Sequence, residues 1–181
     1  MNPGRRSQLV RLTTLALTGA LAACATPEPR PGANPWTTGR LSLRVEGSAD
    51  KPSQGMTAAF ELRGNGDAGE LRLMSPLGTR VATASWGAGR ATLQTSSGER
   101  AFGSLDELAV QVLGEHLPLA ALPDWLAGRP WPRQPFRAVA DGFEQLGWQV
   151  STSERSEGRV AARRESPPAV QLRVRLDPPG S

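Results

Sequence analysis

The sequence holds one cysteine, Cys24, and it directly follows Leu21-Ala22-Ala23. An aliphatic residue and two small ones ahead of a cysteine form the pattern of the bacterial lipoprotein cleavage box, in which the thiol is diacylated and the cysteine becomes residue one of the mature chain. A lone cysteine has no internal disulfide partner, so acylation is the chemistry its position points to. Diacylglycerol plus an N-acyl group would bury enough methylenes, at about 0.8 kcal/mol each, to hold the protein on a membrane, whereas one chain binds only marginally.

Little else in the chain has the types and spacing of a reactive site. His116 is the only histidine, so a histidine-based triad or a metal cluster would rest on that residue alone. It reads as a surface or capping residue beside a helix end. Asp106 and Glu107 are adjacent acids at a helix start, where they complement the free backbone amides. The run Gly64-Asn65-Gly66-Asp67-Ala68-Gly69 matches the dinucleotide fingerprint letter by letter, but that motif needs a following helix to aim amides at the pyrophosphate, and here a strand follows. It reads as a hairpin turn. Trp36, Trp86, Trp125, Trp131 and Trp148 each adjoin apolar strand or helix positions and read as core anchors and rim packing. No catalytic residue, metal ligand or cofactor is expected.

One short segment stands apart. In Ser75-Pro76-Leu77-Gly78, Pro76 and Gly78 suit positions i+1 and i+3 of a type I turn, which puts Leu77 at a tip where a polar residue is usual. A leucine folded back beneath the sheet is the structural alternative.

The ends of the chain frame these residues. Arg5, Arg6 and Arg11, then an apolar run from Leu12 to Ala23 and no acid, form an export signal over residues 1–23, with an apolar stretch shorter than the roughly 20 residues a membrane span needs. Three of the 21 basic residues precede Cys24, leaving 18 against 17 acids, and the arginines are scattered among the acids. That is a solvated surface and excludes a phosphate-binding stripe, so no nucleic-acid partner is expected. Residues 24–35 carry the cysteine and a stretch rich in proline that reads as an extended tether. A domain over residues 36–177 and a short tail, 178–181, complete the chain.

Within the domain, Leu41, Leu43 and Val45 alternate with Ser42, Arg44 and Glu46, and Met56, Ala58, Phe60 and Leu62 repeat the period of two. Further short strands follow around Leu71 and Leu73, then at Val81 to Trp86, Ala91 to Thr95 and Arg100 to Phe102, with glycine in the turns, as in an antiparallel meander. The period changes at Leu105, Leu108, Ala109, Val112 and Leu113, an amphipathic helix with Ser104 and Glu107 as capping box and Gly114 as its stop. A second helical piece over Leu119 to Ala127 is expected to break at Pro123. Strands resume at Phe136 to Ala140, Leu146 to Thr152, Arg159 to Arg163 and Val170 to Leu176. A sheet with one apolar face must cover it, here by curling into a barrel plugged by the helices, and a loose plug leaves an apolar cavity.

These residues in this order resemble the outer-membrane lipoprotein receptor family LolB. The resemblance runs from the box at Cys24 through Trp36 and Gly39-Arg40, Phe60-Glu61-Leu62, Gly69-Glu70-Leu71 and Ser75-Pro76-Leu77-Gly78. It continues at Ser104 to Leu108, Leu117-Pro118-Leu119, Trp125 to Gly128 and Leu172-Arg173-Val174. It implies a mainly β (α+β) fold, a half-open antiparallel β-barrel of the LolA/LolB-like type with an apolar cavity under a short helical lid. The family commonly has a helix before the first strand, where this chain has its proline tether.

On that resemblance, Leu41, Leu43, Val45, Phe60, Leu62, Leu71, Leu73, Leu172 and Val174 are expected to line the cavity. Leu105, Leu108, Val112, Leu119, Leu122, Trp125 and Leu126 are expected to form the lid, and Ser75 to Gly78 a membrane-inserting loop. The expected activity is non-enzymatic: lipoproteins are accepted from the periplasmic carrier LolA by their acyl chains and passed into the outer membrane, whose periplasmic face holds this chain, as a monomer, through Cys24. The alternative is an outer-membrane lipoprotein that acts as a scaffold or protein-binding module with a fully packed core.

Overall fold

A computed structural model describes residues 35–47 and 52–178. Cys24, the export signal and the tether lie outside the described residues.

Eleven strands form one antiparallel sheet: β1 (Thr37–Val45), β2 (Gln54–Gly64), β3 (Gly69–Met74), β4 (Arg80–Gly87), β5 (Arg90–Thr95), β6 (Gly98–Phe102), β7 (Phe136–Val139), β8 (Gly142–Gln145), β9 (Trp148–Ser151), β10 (Arg159–Arg164) and β11 (Val170–Leu176). Their order is β6-β5-β4-β3-β2-β1-β11-β10-β9-β8-β7, so β1 pairs with β11 and the two ends of the series, β6 and β7, stay apart as open edges. Between β6 and β7 the chain forms α1 (Leu105–Leu113), a 3-10 turn (Leu119–Ala121) and α2 (Leu122–Leu126). The fold is the mainly β, half-open antiparallel sheet with a helical cover that the alternation and the resemblance imply.

Register explains why the inner face is apolar. Met56 lies opposite Leu43, Leu43 opposite Leu172, Leu172 opposite Ala162, Ala162 opposite Val150 and Val150 opposite Phe143. Because side chains alternate faces with a period of two, this single register sends every member of the row inward and the arginines between them outward. A second row runs from Ala82 through Leu73 and Phe60 to Gly39. Gly39 is buried, and a Cβ there would stand 2.3 Å from the Arg175 carbonyl oxygen; only glycine fits where β1 and β11 come this close.

The first helix begins and ends as its sequence requires. The Ser104 hydroxyl accepts from the Glu107 amide at 3.0 Å, and Gly114, at φ 72°, closes the last turn by donating to the Val110 carbonyl. Glu107 reaches back to the amide of Gly103, one residue before the N-cap, at 2.7 Å.

Three expectations are corrected. Pro123 does not break the second helix; it sits in the first turn of α2, where its missing N–H costs nothing, and the break falls earlier, where the 3-10 turn joins it. The stretch from Leu146 to Thr152 is not one strand, because Leu146 and Gly147 take φ of 55° and 76° and form the two-residue turn between β8 and β9. Val112 is not on the covered face: α1 rests on β5 and β6, its last turn leans on Leu113 instead, and Val112 is 43% exposed.

Candidate functional site

The inner face of the sheet and the helical cover enclose a small cavity. From the sheet it is lined by Leu41, Leu43, Met56, Phe60, Leu62, Leu71, Leu73, Leu172 and Val174, and from the cover by Leu113, Leu117, Leu119, Leu122 and Leu126. Every lining residue is Leu, Met, Phe or Val, so the space offers no hydrogen bond to anything inside it. Such a site selects only for apolar shape and length. Its volume is about 50 Å³, room for one or two water-sized groups at roughly 30 Å³ each. The cover is closed.

Eight of the nine sheet residues singled out from the sequence line this cavity. Val45 does not; it packs at the end of β1 against the core and lines a neighbouring cleft. Of the cover residues, Leu119, Leu122 and Leu126 face the cavity, while Leu105, Leu108 and Trp125 are buried in the surrounding core. Met56, Leu113 and Leu117 also line it. Leu113 belonged to the helical period and Met56 to the β2 alternation, whereas Leu117, in the irregular stretch between the helices, carries no periodic signal.

The cover is tied to the sheet by polar side chains. Gln145 is only 2% exposed, yet its amide is saturated: Oε1 accepts from Trp125 Nε1 at 2.8 Å and the Trp131 amide at 2.9 Å, and Nε2 donates to the carbonyls of Trp131 at 2.8 Å and Gln134 at 2.9 Å. A buried amide with all its partners fixes one arrangement of its neighbours, since any other leaves polar groups dry and unpaired. Arg155 Nε donates to the Leu126 carbonyl at the end of α2 at 2.5 Å, and Arg129 pairs with the mostly buried Asp124 at 2.7 Å. Arg164 donates to Glu115 Oε2 at 2.7 Å and to the His116 carbonyl at 3.2 Å. His116 itself is exposed.

The glycine-rich run from Gly64 to Gly69 is the β2–β3 turn. Asn65 Oδ1 accepts from the amides of Asp67 and Ala68 at 2.8 and 3.1 Å, and the Asn65 carbonyl accepts from Trp86 Nε1 at 2.9 Å. A Cβ on Gly66 would meet Trp131 Nε1 at 2.6 Å, so the turn lies against the segment after α2, and Asp67 pairs with Arg133 at 2.6 Å.

On the outer face two guanidinium groups lie over the Trp36 ring, those of Arg63 at 4.5 Å and Arg72 at 4.2 Å from its centroid. Glu70 bridges both arginines. Burial pushes its carboxyl up, but the hydrogen bonds and charges of Arg72 and Arg63 outweigh that and hold it below the usual carboxylate value.

The turn at Ser75 to Gly78 projects from the sheet between β3 and β4. The Ser75 carbonyl accepts from the Gly78 amide at 2.9 Å, the Ser75 hydroxyl accepts from the Thr79 amide at 3.3 Å, and Gly78 has φ 81°. Leu77 is 93% exposed. It is not folded beneath the sheet. Leucine at the tip of a pinned turn exposes apolar surface with nothing of the described domain to cover it.

Among the described residues no group of three or more His, Cys, Asp or Glu is placed to hold a metal ion, and no helix is long and apolar enough to cross a membrane.

Against this geometry stand the similarities to known proteins. The profile of the family described as outer membrane lipoprotein LolB matches residues 36–176, the whole of the half-barrel. An outer-membrane lipoprotein LolB of Chromobacterium violaceum is 32% identical over 144 residues, 77% of this chain and 80% of that one. Another, of Cupriavidus pinatubonensis, is 34% identical over 165 residues, 83% of this chain and 77% of that one. A third, of Ralstonia nicotianae, is 36% identical over 119 residues, 62% of this chain and a little over half, 56%, of its own length.

Proposed function

The chain belongs to the LolB family of outer-membrane lipoproteins, which serve lipoprotein localisation, and from that premise we propose that its half-barrel accepts lipoproteins from the periplasmic carrier LolA and inserts them into the outer membrane. The observation that carries this reading is the cavity wall, fourteen side chains from sheet and cover without a polar group among them. A chain of methylenes is the ligand that such a wall suits, at about 0.8 kcal/mol for each one buried.

The mechanism makes and breaks no bond. Acyl chains gain nearly the same free energy in the carrier, in this cavity and in the bilayer, so transfer needs contact between the compartments and small affinity differences, not a nucleotide. The closed cavity is too small for an acyl chain, and acceptance therefore requires the cover to move off the sheet. The lipid on Cys24 holds the domain at the membrane, and the Ser75 to Gly78 turn presents Leu77 as the part that dips into the bilayer where cargo leaves.

The small volume is also what a scaffold with a packed core would have. The two readings part on one measurement, uptake of a fluorescent fatty-acid analogue by the purified protein. Saturable uptake that Phe60→Glu abolishes supports the carrier reading, and absence of uptake by the unaltered protein supports the scaffold.

A further inference from the structure

We propose that acyl chains reach the cavity through the cleft between the last turn of α1 and the β10–β11 connection, and that the Glu115–Arg164 ion pair is the latch that keeps this passage shut. The inference rests on the acyl-carrying reading above.

The cleft has a volume of about 590 Å³; Val45, Pro52, Leu113, Pro167 and Pro168 give it an apolar strip, and Glu46, Gln54, Glu115 and Glu165 also line it. Leu113 belongs to both spaces, with the closed cavity on one side and the cleft on the other. Val45 is the next inward residue on β1 after Leu43, a cavity residue. One layer of side chains thus separates the larger cleft from the small apolar cavity.

The other end of the half-barrel is sealed. There the β2–β3 turn lies against Trp131 so closely that Gly66 has no room for a Cβ, Trp86 is bonded to Asn65, and Asp67 is paired with Arg133. At the cleft end the end of α1 is held by one side chain. Gly114, in the left-handed conformation, ends α1 and turns the chain into Glu115 and His116, which Arg164 holds. The same guanidinium donates to the Pro168 carbonyl at 3.1 Å, so one side chain joins the two walls of the cleft. Glu115 and Arg164 are both more than four-fifths buried, where a charge-assisted bond is strong and its loss is felt. Because β1 and β3 run the same way, both antiparallel to β2, the Leu77 turn leaves the sheet on the side of the β1–β2 connection. Passage and tip therefore share one end.

The test uses the full-length lipidated protein in liposomes and a LolA-bound lipoprotein whose acyl chains carry a diazirine, irradiated at intervals during transfer. Labelled peptides are mapped by mass spectrometry. The expected order is label around Leu113 and Pro167 first and around Phe60 later. Glu115→Ala, shown to be folded by its thermal transition, should speed labelling at Phe60 on the order of tenfold, the factor set by one charge-assisted bond of the closed state. Leu113→Trp, which thickens the partition, should slow it. Label at Phe60 with none at Leu113 or Pro167, and label at Trp131 instead, overturns the passage. An unchanged rate in a folded Glu115→Ala overturns the latch. No label at Phe60 at any time overturns the acyl-binding reading on which both stand.

Discussion

Trp125 and Gln145 form a hydrogen-bonded pair in the buried interior, indole Nε1 to amide Oε1 at 2.8 Å, and the pair joins the helical cover to β8. Trp125 also packs edge-on to Phe143 at 6.5 Å and at a tilt to Trp148 at 6.1 Å between centroids. The cover is therefore tied to the sheet on this side.

Gln145→Ala should unfold at a markedly lower temperature, since a buried group left unpaired costs about 1–3 kcal/mol and the buried Trp125 indole N–H loses its partner, together with the half-buried bonds to Trp131 and Gln134. Trp125→Phe removes one of those bonds and should cost less than Gln145→Ala. Equal loss in the two variants, measured by thermal or denaturant unfolding, would show that the ring packing and not the amide network holds the cover.

Phe60→Glu places a charge in the wall of the apolar cavity, where no partner is available and burial of an unpaired charge is costly. Lost binding of a fatty-acid analogue is expected, with some lost stability. Phe60→Leu, which keeps the wall apolar, should retain binding and lose about 1 kcal/mol of stability. A folded Phe60→Glu that binds the analogue as the unaltered protein does would remove Phe60 from the binding wall.

Cys24→Ser should yield protein that incorporates no labelled palmitate and keeps its export signal, because the hydroxyl cannot take the diacylglycerol thioether. Palmitate on the serine variant would contradict acylation at this position.

Glu70 gives a pH dependence with a definite sign. Its carboxyl is held below the ordinary value of 4.5 in the folded protein, so its contribution to stability is present above about pH 4.5 and is lost as the pH falls through the folded value. Glu70→Gln should lower the unfolding temperature at neutral pH, with the gap to the unaltered protein narrowing below pH 4.5. A gap that stays constant into acid would show that the arginines do not stabilise the carboxylate form.

Most of the sheet was legible because its inner residues alternate without interruption in β1, β2 and β11, and α1 was legible because Ser104, Glu107 and Gly114 bracket a clean helical period. The β8–β9 hairpin was hidden by its chemistry. Gln145 is a polar residue on the buried face, and Leu146 occupies a left-handed turn position that glycine or asparagine would have announced. Val112 fits the period of α1, but a helix buries a face only as far as something lies beneath it. The cavity wall followed from the strand pattern; the ties that hold the cover down, Gln145, Arg155 and Arg164, are long-range polar contacts to which no local pattern points.

The exposed tip and the apolar cavity make separable demands on one reaction. Leu77 is pinned in its turn and touches no core, so Leu77→Glu should change stability by less than about 0.5 kcal/mol, as surface substitutions do. A buried leucine is worth roughly 1.5–3 kcal/mol, which is too little to anchor a protein and enough to bias where cargo leaves it. The decisive measurement is reconstituted transfer of a lipoprotein from LolA to liposomes bearing the lipidated protein, with departure from LolA and arrival in the bilayer scored separately. The account predicts both steps for the unaltered protein, neither for Phe60→Glu, and departure without arrival for Leu77→Glu. A lipoprotein that stays on LolA in the presence of the unaltered, folded protein would contradict it.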